Sequence, residues 1–263
     1  MTPEQSITSI EFLGLPGSGK STLCDQVIGQ LSDGPGKPMA VRTAGRVALR
    51  QRIRESRHPW RRLCAYALGA GLLRSVYPIT KYEVSAYNHF CHGNPRLTAI
   101  TMDAISGIHD PVRRDKVAKL WFKHCARHQL MIDHLGPGTT IFAPEGFLQK
   151  ALSVFGNDQD IDHQAVDAYV AATPLPRMLV YLQLDPNTAT GRMADRPRQL
   201  PYPLSSMTPD ERLRSLGAWD ALQQRLVARV GGMGVPVVDI AAHASPSENA
   251  TIILDRLGDA RAV

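Results

Sequence analysis

The sequence predicts an α/β fold, with a parallel sheet covered by helices on both faces. Three observations predict it. Short apolar or β-branched runs alternate with segments of helical periodicity along the whole chain. The first run enters a glycine-rich turn directly, as a strand leading to a ligand loop does. The chain has 263 residues, 43% apolar and 21% charged, enough to bury a core without a disulfide or metal staple. The same composition excludes a disordered chain, a collagen-like chain and a small cystine scaffold.

The elements follow in order. Residues 6–13 (SITSIEFL) read as a strand, and Leu23, Val27 and Leu31 mark one face of the next helix, with Cys24 and Ile28 beside them. Asp33-Gly34-Pro35-Gly36 stops that helix. Residues 38–41 form a short second strand, and 42–62 a basic helical stretch, followed by a segment to about 108 without clear periodicity. Val117, Leu120, Trp121, His124, His128, Met131, Ile132 and Leu135 predict one face of a long helix, ended by Gly136-Pro137-Gly138. TTIFA (139–143) is a buried strand, 146–155 and 163–172 are helices, and 177–184 (RMLVYLQL) is a fourth strand. A short helix at 187–195, a long one at 208–230, a strand at 235–240 and a helix at 248–257 complete the chain.

Cys24, Cys64, Cys91 and Cys125 are far apart, no basic-then-apolar leader is visible, and the apolar run 63–73 is too short to span a bilayer. These features lead us to expect a reduced, cytoplasmic protein. The net charge is +6, and only seven of the thirty basic residues are Lys. Guanidinium forks suit phosphate, although a bias in codon usage produces the same excess.

Gly14-Leu15-Pro16-Gly17-Ser18-Gly19-Lys20-Ser21-Thr22 matches the pattern G-x-x-x-x-G-K-[ST] between a predicted strand and a predicted helix. Its glycines let backbone N–H groups face an anion at a helix N-terminus; Lys20 reaches the β- and γ-phosphates and the Ser21 hydroxyl binds Mg²⁺. The guanine-reading Asn-Lys-x-Asp is absent, as is a strand of four apolar residues ending in Asp-Glu. Glu145 follows the TTIFA strand, where a carboxylate could hold Mg²⁺ through water or accept a hydroxyl proton. After the fourth strand come Asp185-Pro186 and then Arg192, Arg196 and Arg198, with Arg192 and Arg196 on one helix face. Arginines that close over a transferring phosphate stabilise its charge and exclude water.

Taken together, strand-GLPGSGKST, strand-Pro144-Glu145-Gly146 and VYLQLDPNTATGRMADRPR resemble the thymidylate-kinase-like branch of the P-loop nucleoside and nucleotide kinases. The resemblance implies a three-layer fold with a five-stranded parallel sheet in the order 2-3-1-4-5. It divides a single domain into a core (1–41 and 111–263), a helical acceptor-binding insertion (42–110) and a lid (192–210). It also implies transfer of the ATP γ-phosphate with Mg²⁺. ATP would be held by Gly14, Pro16, Gly17, Ser18, Gly19, Lys20, Ser21, Thr22 and Arg192. Lys20, Glu145, Arg192 and Arg196 would serve the chemistry, and Ser21 and Glu145 the metal. Ala143 and Pro144 stand where family members commonly carry an aspartate, leaving Glu145 as the acid.

Eight arginines in 42–62 face only Glu55, and Arg42, Arg46 and Arg50 begin a stripe at helical spacing. An acceptor clamp, a nucleic-acid surface, a membrane-surface patch and a plain solvated face all remain open. The expected acceptor contacts are Arg42, Arg46, Arg50 and Asp103, an isolated acid in an apolar setting. A small acceptor is the leading reading; a kinase acting on a base within DNA and an ATPase or switch without an acceptor are the alternatives. A homodimer is also left open. His89, Cys91 and His92, and His124, Cys125 and His128, are spaced for metal binding, but the apolar face carrying His124 and His128 favours core histidines.

Overall fold

A computed structural model of the chain describes residues 7–31, 37–67, 79–156, 161–195 and 204–259. The strands are β1 (Thr8–Gly14), β2 (Lys37–Ala40), β3 (Thr139–Ala143), β4 (Met178–Gln183) and β5 (Val237–Ala241). They form one all-parallel sheet in the order β2-β3-β1-β4-β5, the order implied by the resemblance to P-loop nucleoside and nucleotide kinases.

Helices join the strands. They are α1 (Lys20–Leu31), α2 (Val41–Arg54), α3 (Pro59–Ala67), α4 (Ile79–Gly93), α5 (Pro95–Ser106) and α6 (Pro111–His134), then α7 (Phe147–Phe155), α8 (His163–Ala172), α9 (Pro186–Ala194), α10 (Pro209–Gly232) and α11 (Pro246–Asp259). Side chains cap several of the starts. Asp110, Asp162 and Asp185 each accept N–H bonds at the heads of α6, α8 and α9, and Thr208 and Glu211 form a capping box on α10.

The strand period of two sorts the core. Ile10 and Phe12 face a cluster with Leu23, Cys24 and Val27 of α1 and Ile253 and Leu257 of α11. Leu13, Leu179 and Tyr181 face the opposite layer, with Trp121, Phe147, Tyr169 and Leu226. Glu11 belongs by parity to this second face and is only 4% exposed.

Two expectations change. The basic stretch 42–62 is not one helix: α2 ends at Arg54, and α3 begins at Pro59, whose ring is tolerated at a helix start but not in its interior. The long helix α6 buries Val117, Trp121, Cys125, Ala126, Leu130 and Met131, whereas Leu120 and Ile132 are exposed. Packing against α2 and α4 on one side and α7 on the other rotates the buried stripe from the face predicted. The region 79–106, without clear periodicity in the sequence, is two helices. No helix among the described residues is long and apolar enough to cross a membrane.

Candidate active site

The site begins where β1 ends. Between Gly14 and Lys20 the backbone turns through Gly17 and Gly19, whose φ values are 95° and 92°, a region L side chains rarely adopt. The Ser18 N–H donates to the Leu15 carbonyl at 3.1 Å and the Leu23 N–H to the Gly19 carbonyl at 3.0 Å, so the loop runs straight into α1. One side of the loop is packed: a Cβ on Gly17 would lie 3.3 Å from the Ala189 carbonyl oxygen on α9. The other side is open, since a Cβ on Gly19 would meet nothing within 4 Å. Lys20 Nζ lies over the loop, donating to the carbonyls of Gly14 (2.6 Å) and Leu15 (3.0 Å). Ser18 is 3% exposed, and its Oγ is buried without a hydrogen-bond partner. Pro16 is half-buried, and Ser21 and Thr22 are exposed in the first turn of α1. Backbone N–H groups, a helix N-terminus and an ammonium converge here, an arrangement suited to an anion.

Glu145 stands at the carboxyl end of β3. Its side chain is 64% exposed and pairs with the 12%-exposed Lys150 ammonium at 2.8 Å. Partial desolvation works to raise the carboxyl pKa. The charge and hydrogen bond of Lys150, with the fields of Lys20 and Arg42, outweigh it and hold Glu145 below the usual carboxylate range. Glu145 is therefore ionised at neutral pH, in the field of both the loop lysine and the first arginine of α2.

Helix α7 ties Glu145 to the loop. Its first two amides, Phe147 N–H and Leu148 N–H, donate to the two Glu11 carboxyl oxygens at 2.9 and 3.1 Å. At the next residue, Gln149 Oε1 accepts the Gly14 N–H at 3.2 Å. Burial pushes the Glu11 carboxyl up to about 7, against the lowering effect of the two amide bonds.

The arginines fall in different places. Arg192 on α9 has its Cβ beside the glycine loop, while both terminal nitrogens of its guanidinium donate to the Ala242 carbonyl at 3.1 Å, just past β5. Arg196 and Arg198 lie outside the described residues, as do residues 196–203 of the expected lid. Arg42 and Arg46 are exposed near the head of α2, and Arg50 is half-buried. Asp103 is on the exposed face of α5, whose opposite face buries Leu97, Thr101 and Ile105. Its carbonyl accepts from Ser106 and Gly107, both local bonds.

The histidines of α6 serve the core. His124 and His128 pack edge-on to Phe147, with ring centroids 4.4 and 4.9 Å apart. Burial holds His124 well below the usual histidine value, with Lys150, His128 and Arg127 adding to the effect, and lowers His128 to about 4. Among the described residues no group of three or more His, Cys, Asp or Glu is placed to hold a metal ion.

Sequence reasoning does not single out Glu11, Gln149 or Lys150. Glu11 alone leaves a signal, a carboxylate inside an otherwise apolar strand. Gln149 and Lys150 read as ordinary helix residues until the fold brings the turn against Gly14.

No protein-family model and no curated protein sequence matches this chain. Three solved structures of deoxyadenosine kinase from M. mycoides are similar to it, each over 95% of this chain and 99% of the other. The structure with bound dCTP is 12% identical, with a TM-score of 0.47. The structure with bound dATP is 13% identical (TM-score 0.45), and the one with products dCMP and a flexible dCDP bound is 14% identical (TM-score 0.45).

Proposed function

We propose that this chain is a phosphotransferase that moves the γ-phosphoryl group of ATP, with Mg²⁺, to a small acceptor such as a nucleoside or nucleotide. The observation that carries the reading is the loop at residues 15–19, with two glycines at positive φ, a helix N-terminus behind it and Lys20 over its mouth, opposite an ionised Glu145. The loop amides would hold the ATP phosphates, and Lys20 would leave the Gly14 and Leu15 carbonyls to neutralise the transferring group.

The residues present fit a magnesium nucleotide. Ser21 is exposed at the loop mouth, and the buried Ser18 Oγ has a hydrogen bond still to make. Mg²⁺, when bound, supplies charge neutralisation across the β- and γ-phosphates. Ser21 would hold it directly and Glu145 through water, or Glu145 would accept the acceptor's hydroxyl proton. Arg192, and Arg196 four positions later in the chain, would close on the phosphates, which requires Arg192 to leave Ala242. Arg42 and Arg46 are the arginines that support an anionic acceptor, because Arg42 already acts on Glu145.

A screen with γ-labelled ATP tests this reading. Nucleosides, nucleoside monophosphates, and single- and double-stranded DNA are offered as acceptors. Label transferred to a small acceptor supports it; label found only on DNA, or only as free phosphate, overturns it.

A further inference from the structure

Resting on the phosphotransfer reading, we propose that Glu11 is a positioning residue for the site, fixing the helix that braces both the glycine loop and Glu145. The geometry is a chain of contacts. The Glu11 carboxyl oxygens hold Phe147 N–H and Leu148 N–H at 2.9 and 3.1 Å, at the start of the nine-residue α7. That helix presents Gln149 to the Gly14 amide at 3.2 Å and Lys150 to Glu145 at 2.8 Å. Glu145 itself lies two residues before the first amide held. No Cβ at position 146 fits beside this carboxyl group, so the backbone rests directly on it.

The brace depends on charge. An ionised carboxylate accepts both amides strongly, whereas a neutral carboxyl turns one oxygen into a hydroxyl, a weaker acceptor, and loosens the bond to it. Glu11 also lines a mostly apolar cavity of about 180 Å³, together with Ser9, His124, Arg127 and His128. The groups facing it are few. His124, Arg127 and His128 come from α6, and the Tyr169 phenol, which donates to the Phe147 carbonyl at 2.8 Å, from α8. Lys150 on α7 is paired with Glu145, and the flanking sheet residues Ala143 and Leu179 are apolar. Burial lowers both histidines, and Glu11, pushed up to about 7, is the group in this cluster that changes charge near neutrality.

The test compares the wild type with Glu11→Gln by amide hydrogen exchange and by transfer kinetics. In the wild type, protection of Phe147, Leu148 and Gly14 against local openings that leave Glu11 buried, corrected for intrinsic exchange and taken relative to global stability at each pH, should rise with pH through about 7. At pH 8 the variant should exchange these amides about tenfold faster. Its kcat should fall about tenfold with ATP KM within about threefold, and the acid limb of the wild-type kcat profile near pH 7 should be gone. Protection at Gly14 that follows neither pH nor the substitution, or an acid limb retained in the variant, overturns the proposal. A wild type that transfers phosphate to no acceptor sinks the phosphotransfer reading instead, and the exchange measurement still decides the role of Glu11.

Discussion

The Glu11 carboxyl group fills the space into which a side chain at position 146 would project, so Gly146 and Glu11 are matched residues from β1 and the β3–α7 turn. Gly146→Ala should therefore push the carboxyl group off the α7 amides. The expected loss is about 1–3 kcal/mol from overpacking and broken hydrogen bonds. Chemical denaturation of a double-mutant cycle with Glu11→Ala checks it. The alanine should cost clearly less once Glu11 is gone, and equal costs in both backgrounds would refute the clash.

Stability should fall as pH rises from about 4.5 to about 7. The folded chain holds the Glu11 proton to about pH 7, where an unfolded glutamate releases it near 4.5. This contribution is complete below pH 4.5 and is lost as pH rises through about 7. Its size is on the order of 3 kcal/mol. Unfolding free energies at pH 5 and pH 8 should differ less in Glu11→Gln than in the wild type. An undiminished difference would show that another group is responsible.

Lys20→Ala should fold normally and lose phosphate transfer by 10²-fold or more, roughly 3 kcal/mol of transition-state stabilisation. Its ammonium donates to the loop carbonyls of Gly14 and Leu15 at the site mouth, and Tm should barely move. Transfer within about threefold of wild type in a folded variant would remove the loop from the chemistry.

Glu145 should depend on Lys150 for its low pKa. The depressed value means that what the ion pair contributes is present above the unfolded pKa and lost as pH falls through the folded one. Lys150→Met should move the acid limb of kcat attributable to Glu145 upward, while Glu145→Gln should abolish transfer and leave ATP binding intact. Profiles measured in the Glu11→Gln background separate this limb from the one near pH 7. An unmoved limb in Lys150→Met would leave Glu145 outside the chemistry.

The basic stretch should divide in function as it divides in structure. Helix α2 has fourteen residues, about 21 Å, with Arg42 and Arg46 in its first half, whereas Arg57 and Arg62 follow its end at Arg54. Arg42→Gln with Arg46→Gln should raise the acceptor KM about tenfold, whereas Arg57→Gln with Arg62→Gln should leave it unchanged. If both pairs instead reduce the salt dependence of DNA binding by about two units of slope, the stretch acts as one polyanion surface.

What the sequence by itself determined is local. Glycines that admit positive φ, the run G-x-x-x-x-G-K-S and the alternation of strands with helices are each read from a few neighbouring residues. They place the loop at the end of β1, Glu145 at the end of β3 and Arg192 on the helix after β4. Only the tertiary structure decided how these pieces act on one another. Parallel pairing sets Glu11 opposite Ala143, and the turn after β3 lays α7 on the Glu11 carboxyl group. Gln149 and Lys150 thereby acquire Gly14 and Glu145 as partners, one of them 135 positions away in the chain. The same packing rotates the buried stripe of α6 and turns the Arg192 guanidinium toward Ala242. Periodicity tells which residues share a face; what each face meets is fixed only when non-local elements compete for the same space and the same hydrogen bonds.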